Sequence, residues 1–231
     1  MSCSSSLIDI TDPLVLDTSV LINLHACKYG EQILAAIPNE ILVPEIVAGE
    51  LEHETSRRNG EHGFLYSLVA NGTVTLAGLT EAEYVIFYEL TSIAPSLDDG
   101  EAATIAVASA RNFLPVIDEK RGRARALAKA QAAGWSLDIF RHPAALATLG
   151  DQSAIDALYL ALRDGRMRIP PESADSVIGI IGIERSRDCT CLPGYRDRFA
   201  GAPNRSIDVE FTAVADLEAG EWLLDHLAES E

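Results

Sequence analysis

Two acids occupy equivalent places in this sequence, each directly behind a short apolar run: Asp17 closes LVLD and Asp118 closes PVID. Runs of that length read as buried strands, and in a parallel sheet equivalent strand ends share the ligand-binding edge. Glu50 comes from a different direction. Ile46 and Val47 precede it by four and three residues, so helical spacing carries it inward or to the rim of the core. A further contribution comes from LDDGEAATIAVA, where Asp98, Asp99 and Glu101 crowd the start of an Ala-rich helix. Asp98 and Asp99 are good caps without any other role, and the helix dipole favours all three. Glu101 is better placed to face inward, because Ile105 lies one turn on. Two like charges ~4 Å apart repel by about 4 kcal/mol at an effective dielectric of roughly 20. Acids meeting at one edge therefore cannot all stay ionised near neutral pH without compensation. A hard divalent cation removes the conflict, and Mg²⁺ or Mn²⁺ suits an all-oxygen site without His or Cys.

A single acid at a strand end is commonly a helix cap or turn residue, and that reading stays open for Asp17. Its repetition at Asp118 weighs against it.

The elements that would position these acids alternate. Strands are expected at Leu14–Leu16, Ile41–Val43, Thr73–Leu76, Leu114–Asp118 and Trp135–Phe140. Helices are expected from Val20, through EIVAGELEHE behind Pro44, and through TEAEYVIFYEL, LDDGEAATIAVASA and KRGRARALAKAQAAG, the last closed by Gly134. On the first of these, Glu54 would lie one turn beyond Glu50 and reach the same rim. Such alternation implies a parallel sheet covered on both faces. Beyond Pro143 the pattern is helical only, in DQSAIDALYLALRDG and SADSVIGIIGI. After about Glu184, RSRDCTCLPGYRDRFAGAPNRS reads as a loop, and VADLEAGEWLLDHLAE as a terminal acidic helix. The expected organisation is a first domain over 1–183 and an extension over 184–231.

Lys and Arg total 18 against 35 Asp and Glu, a net charge of −17 over 231 residues. That balance excludes strong non-specific grip on nucleic acid, which depends on cations displacing counterions, unless a local basic patch supplies it. One is present behind Asp118: Lys120, Arg121, Arg123, Arg125 and Lys129. Arg125 and Lys129 read as a solvated face, whereas Lys120, Arg121 and Arg123 open a helix at the acidic edge and could hold phosphates. Arg57 and Arg58 would extend the track. The N-terminus carries no secretory pattern and no stretch is long enough to span a bilayer. Cys3, Cys27, Cys189 and Cys191 form no CxxC pair and read as free thiols, which places the chain in the cytoplasm. All five histidines lie outside the acidic motifs, which argues against a Ser–His–Asp or two-histidine mechanism.

The pieces VLDTSVLINL, VPEIVAGEL, LDDGEAATIAVA and PVIDEKRGRARALA, in this order, resemble the PIN-domain family of metal-dependent ribonucleases, and most closely its VapC-like toxin branch. The resemblance covers roughly Leu14 to Trp135. It implies a PIN-like three-layer α/β/α fold with a central parallel sheet, here with a helical C-terminal extension. It also implies Asp17, Glu50, Glu101 and Asp118 as catalytic metal ligands for Mg²⁺ or Mn²⁺, with Asp98 or Asp99 as alternatives to Glu101. Thr18 or Ser19 would assist through its hydroxyl. RNA would be the substrate, cut by a cation-activated water. An antitoxin protein and a second copy of the chain are partners that the resemblance allows; a membrane is not. Two other readings compete. One is a PIN-fold binding or regulatory protein with an idle acidic site. The other is a haloacid-dehalogenase-type phosphohydrolase, which wants a second Asp where this chain has Ser19.

Overall fold

The computed structural model describes residues 5–199. The expected terminal helix at 214–229 lies outside them. Four short strands form one sheet: β1 (Leu14–Leu16), β2 (Ile41–Pro44), β3 (Thr75–Ala77) and β4 (Leu114–Val116). Their order is β3-β2-β1-β4 and every pairing is parallel, with Leu14 opposite both Ile41 and Leu114. β1, β2 and β4 are buried throughout and need no polar alternation, because helices cover both faces, whereas β3 at the sheet edge exposes Thr75.

On one face lies α7 (Asp99–Arg111), flanked by α6 (Glu81–Ser92) and α8 (Lys120–Ala130). Residues 100–108 of α7 are all buried. Its alanines at 102, 103, 106 and 108 make that possible, since a slim helix can sit among sheet and neighbours without voids or overlap. Val15 and Leu42 pack against Val107 and Ala108 on this side, so Leu14 and Leu16 point to the other. There α1 (Thr18–Ala26), α2 (Gly30–Ala36), α5 (Glu61–Ala70) and α10 (Pro143–Arg163) close a second helical layer. The result is a three-layer α/β/α fold with a parallel sheet, as expected. No described helix is long and apolar enough to cross a membrane.

Local departures from the expected elements have identifiable causes. EIVAGELEHE does not form one helix. Fully buried Leu51 anchors a turn after α3 (Glu45–Glu50), and His53 caps a separate α4 (Glu54–Asn59) by accepting from Thr55 N. Glu54 is thereby exposed and does not continue the face of Glu50. WSLDIF is not a strand. Gly134 alone bridges to Val116, and Asp138 then accepts from Trp135 N at 2.8 Å, starting the one-turn helix α9 (Ser136–Phe140). Helix α8 ends at Ala130 with Gln131 in the left-handed region, four residues short of Gly134. Gly150 (φ +73°) interrupts α10, and Gly182 (φ +87°) separates α11 (Ala174–Ile181) from α12 (Ile183–Ser186).

The stretch after Glu184 is more ordered than a loop. Buried Cys189 and Leu192 pin it, and α13 (Tyr195–Arg198) ends a compact unit that closes at Arg198. Tyr195 Oη donates to Arg187 O at 2.6 Å, and Cys191 Sγ donates to Leu162 O at 3.1 Å.

Candidate metal-binding acidic cleft

Asp17 and Asp118 follow the neighbouring parallel strands β1 and β4, and Asp17 N donates to Val116 O at 3.3 Å. Asp17 caps α1: its Oδ2 accepts from Ser19 N at 3.3 Å and Ser19 Oγ at 2.6 Å. The cap reading is therefore correct as far as it goes, but a cap normally sits in water, whereas Asp17 is only 4% exposed. Burial, and then the charge of Asp98, push its carboxyl up to about 6 despite the Ser19 bonds.

Asp118, 3% exposed, is held from two sides. Ser136 N donates to Oδ1 at 2.8 Å and Asn23 Nδ2 to Oδ2 at 2.9 Å. Asn23 also reaches Ser136 Oγ at 3.3 Å. Burial outweighs these donors and lifts Asp118 to about 6, with Asp17 adding to the rise and Arg123 opposing it.

Among the three acids of α7 the structure separates roles. Asp98 is the N-cap, accepting from Glu101 N at 2.8 Å, and it is exposed, as is Asp99. Glu101 is 4% exposed and its Oε1 has no hydrogen-bond partner. Burial, followed by the charges of Asp98 and Asp17, raises it to about 7, while Arg121 and Arg168 pull the other way. Glu101 reaches its place because Gly122 opposite has no side chain; a Cβ there would lie 2.5 Å from Glu101 Oε1.

Glu50 is half-buried at the rim. Its Oε2 accepts from Thr18 Oγ1, and its Oε1 from Gly100 N at 2.8 Å. A Cβ at Gly100 would lie 2.6 Å from Glu50 Oε2, so this glycine is what lets the carboxylate settle on the start of α7. Burial raises Glu50, with Asp98 and Asp99 contributing and the bonds from Thr18 and Gly100 opposing.

All four acids thus lie on the edge formed by the C-terminal ends of β1, β4 and the helices beside them. Asp17 is the hub, since its charge acts on both Glu101 and Asp118. As they stand, no three acidic, His or Cys side chains among the described residues share one point where an ion would sit. The residues nevertheless fit a hard divalent cation in two respects. The donors are all oxygen, and a buried carboxylate oxygen with no donor facing it is costly in a protein interior.

The basic residues divide as well. Lys120 and Arg121 are exposed at the start of α8, with Arg121 Nη1 donating to Ser96 O at 3.3 Å. Arg123 is held by the protein itself. It donates to Ile117 O at 3.1 Å, to Ala133 O at 3.0 Å and to Gly134 O, and its guanidinium lies 3.8 Å from the Trp135 ring centre. That geometry ties α8 to the strand end and leaves little for a phosphate. Arg57 pairs with Glu52 on the surface.

A cavity of about 210 Å³ opens beside Asp118, lined by Ser19, Asn23, Glu119, Arg166 and Arg168 among others. Asn23, Ser136 and the two arginines are absent from the expected set of site residues. Asn23 carried a signal: a lone amide in the apolar run VLINL, now 2% exposed. Arg166 and Arg168 come from far along the chain, where spacing says nothing of proximity.

An α/β/α domain whose sheet edge gathers buried, mutually raised carboxylates is a candidate cation-dependent hydrolase. Comparison with protein families identifies it more closely: the model of the PIN domain matches residues 13–182, and the chain belongs to that family, whose members are generally metal-dependent nucleases. No curated protein and no solved structure gives a match.

Proposed function

We propose that this chain is a Mg²⁺- or Mn²⁺-dependent endoribonuclease that hydrolyses RNA phosphodiester bonds, of the VapC-like kind in which the enzyme is the toxin of a toxin–antitoxin pair. The observation that carries it is the trio of buried acids Asp17, Glu101 and Asp118, each held well above the ordinary carboxylate range, with Glu101 Oε1 unpartnered.

In this reading Asp17, Glu101 and Asp118 hold the cation, Glu50 completes the acidic rim, and exposed Asp99 stands outside it. When bound, the cation supplies Lewis-acid activation of water and neutralises charge on the phosphate oxygens. Ser19 fixes the rotamer of Asp17, Thr18 that of Glu50, and Asn23 with Ser136 that of Asp118. Lys120 and Arg121 receive RNA phosphates at the mouth of the cleft. No protein nucleophile is required, in keeping with histidines that cap or end helices at 25, 53 and 142.

Cleavage of a labelled single-stranded RNA by the purified chain, with and without EDTA and with Asp17→Asn, tests this. Loss of cleavage in both cases is the expected result; cleavage undiminished in Asp17→Asn contradicts it. A second reading, a PIN-fold binding protein with an idle site, draws on the absence of a ready three-ligand point among the described residues. Calorimetry showing no Mn²⁺ binding would favour it.

A further inference from the structure

Residues 165–169, GRMRI, follow α10 and run alongside the acidic cleft. Met167 and Ile169 are buried at 1% and 4% exposure, while Arg166 and Arg168 face outward. Burial thus alternates along the segment and leaves both guanidiniums on its solvent side.

The segment is seated tightly. Met167 N donates to Ala161 O at 3.0 Å. Gly165 lies so close that a Cβ on it would fall 2.7 Å from Oδ1 of Asn23, the residue that holds Asp118. Arg166 adopts φ +56°, a region that non-glycine residues visit sparingly and that recurs at functional sites.

Arg166 and Arg168 line two cavities at once. One is the cleft of about 210 Å³ that contains Asp118, and the other is a larger, half-open space of about 610 Å³ also lined by Ile169, Cys191 and Pro193. No ion pair engages Arg166 among the described residues. Arg168 pairs with Glu119, but both side chains are about half exposed, at 57% and 44%. A pair so exposed is weak enough for a phosphate to displace. In a chain of net charge −17, these two guanidiniums add a cationic wall to the cleft whose mouth carries Lys120 and Arg121.

We infer that this arm is the exit track for the substrate: single-stranded RNA leaves the acidic cleft over Arg166 and Arg168, which bind successive phosphates, and places a nucleotide in the cavity walled by Ile169, Cys191 and Pro193. The inference rests on reading the cleft as a nuclease site and adds the path by which its substrate leaves. A duplex could not follow, because only an unpaired strand can send one nucleotide into a cavity while its backbone follows the arm.

The test measures binding apart from cleavage. Fluorescence anisotropy in EDTA compares a single-stranded RNA dodecamer on the wild-type chain, Arg166→Ala and Arg166→Lys, over a series of salt concentrations. Arg166 is exposed, so folding should not change, and thermal melting checks this. Expected results are about a three- to tenfold weaker Kd for Arg166→Ala and partial recovery in Arg166→Lys. The slope of log K against log salt should also fall by about 0.7, the value for one phosphate on a single strand. The dodecamer should slow alkylation of Cys191, read by peptide mass mapping, whereas a duplex of equal length should not. Equal affinity and slope for wild type and Arg166→Ala, or Cys191 alkylated equally fast with and without RNA, overturns the track. Binding as expected without cleavage in Mg²⁺ would instead remove the nuclease reading and leave the track standing.

Discussion

Replacing Glu101 by Gln should stabilise the cation-free protein, although it removes a residue proposed to be essential. Glu101 is nearly fully buried, has an oxygen with no donor, and feels Asp98 and Asp17. Its carboxyl is raised from 4.5 to about 7. The folded protein therefore holds that proton more tightly than the unfolded chain does. Its stabilising contribution is complete below pH 4.5 and is lost as pH rises through 7. At 1.36 kcal/mol per unit, the loss at pH 8 is roughly 3 kcal/mol at most. Gln avoids it at every pH, but forfeits about 0.3–1 kcal/mol from an acid at a helix start. The net gain is roughly 2 kcal/mol, or about 4–8 °C in Tm for a chain of this size. Thermal melts in EDTA at pH 5 and pH 8 measure it. The variant should melt higher than wild type at pH 8 and within about 2 °C of it at pH 5, a bound set by the same scale. Adding Mn²⁺ at pH 8 should raise the wild type and reverse the order. A Glu101→Gln protein that melts lower than wild type at pH 8 in EDTA would refute the electrostatic reasoning.

Other substitutions separate positioning from packing. Asn23→Leu removes the donor to Asp118 Oδ2 and should cost about 1–3 kcal/mol in urea unfolding at pH 8, with a smaller cost at pH 5, where a neutral Asp118 needs the donor less. Gly100→Ala puts a methyl 2.6 Å from Glu50 Oε2 and should cut RNA cleavage more than tenfold; Gly49→Ala, with open space around it, should leave cleavage intact and alter stability by less than about 1 kcal/mol. Arg123→Ala should destabilise by about 1–3 kcal/mol by orphaning the carbonyls of Ile117 and Ala133 and baring Trp135, while Gly134 O keeps its bond from Ile117 N. Lys120→Ala should instead leave the melting temperature unchanged and weaken RNA binding, as anisotropy would show.

The carboxylates were legible because their positions follow from period and topology. A strand that ends on Asp twice in a parallel sheet places both acids on one edge, and β1 and β4 are indeed neighbours. The fully buried face of α7 was legible in its run of alanines, and Glu101 followed from the placing of Ile105. What short-range patterns missed was fixed by contacts between distant parts of the chain. WSLDIF has the composition of a strand, yet Asp138 capping Trp135 N turns it into a helix. EIVAGELEHE has one helical pattern, yet burial of Leu51 breaks it. Arg123 looked like a free cation in a basic run because its carbonyl partners, Ile117, Ala133 and Gly134, are not encoded by charge. Arg166 and Arg168 reach the cleft only because Gly165 can touch Asn23, more than a hundred residues earlier.

The most direct test of the central claim is X-ray diffraction from crystals of the 231-residue chain soaked in Mn²⁺, with data collected at the manganese absorption edge. The expected result is an anomalous peak among Asp17, Glu101 and Asp118, lost in Asp17→Asn crystals treated identically. Manganese bound elsewhere, or a cleft without any peak at saturating Mn²⁺, would contradict it.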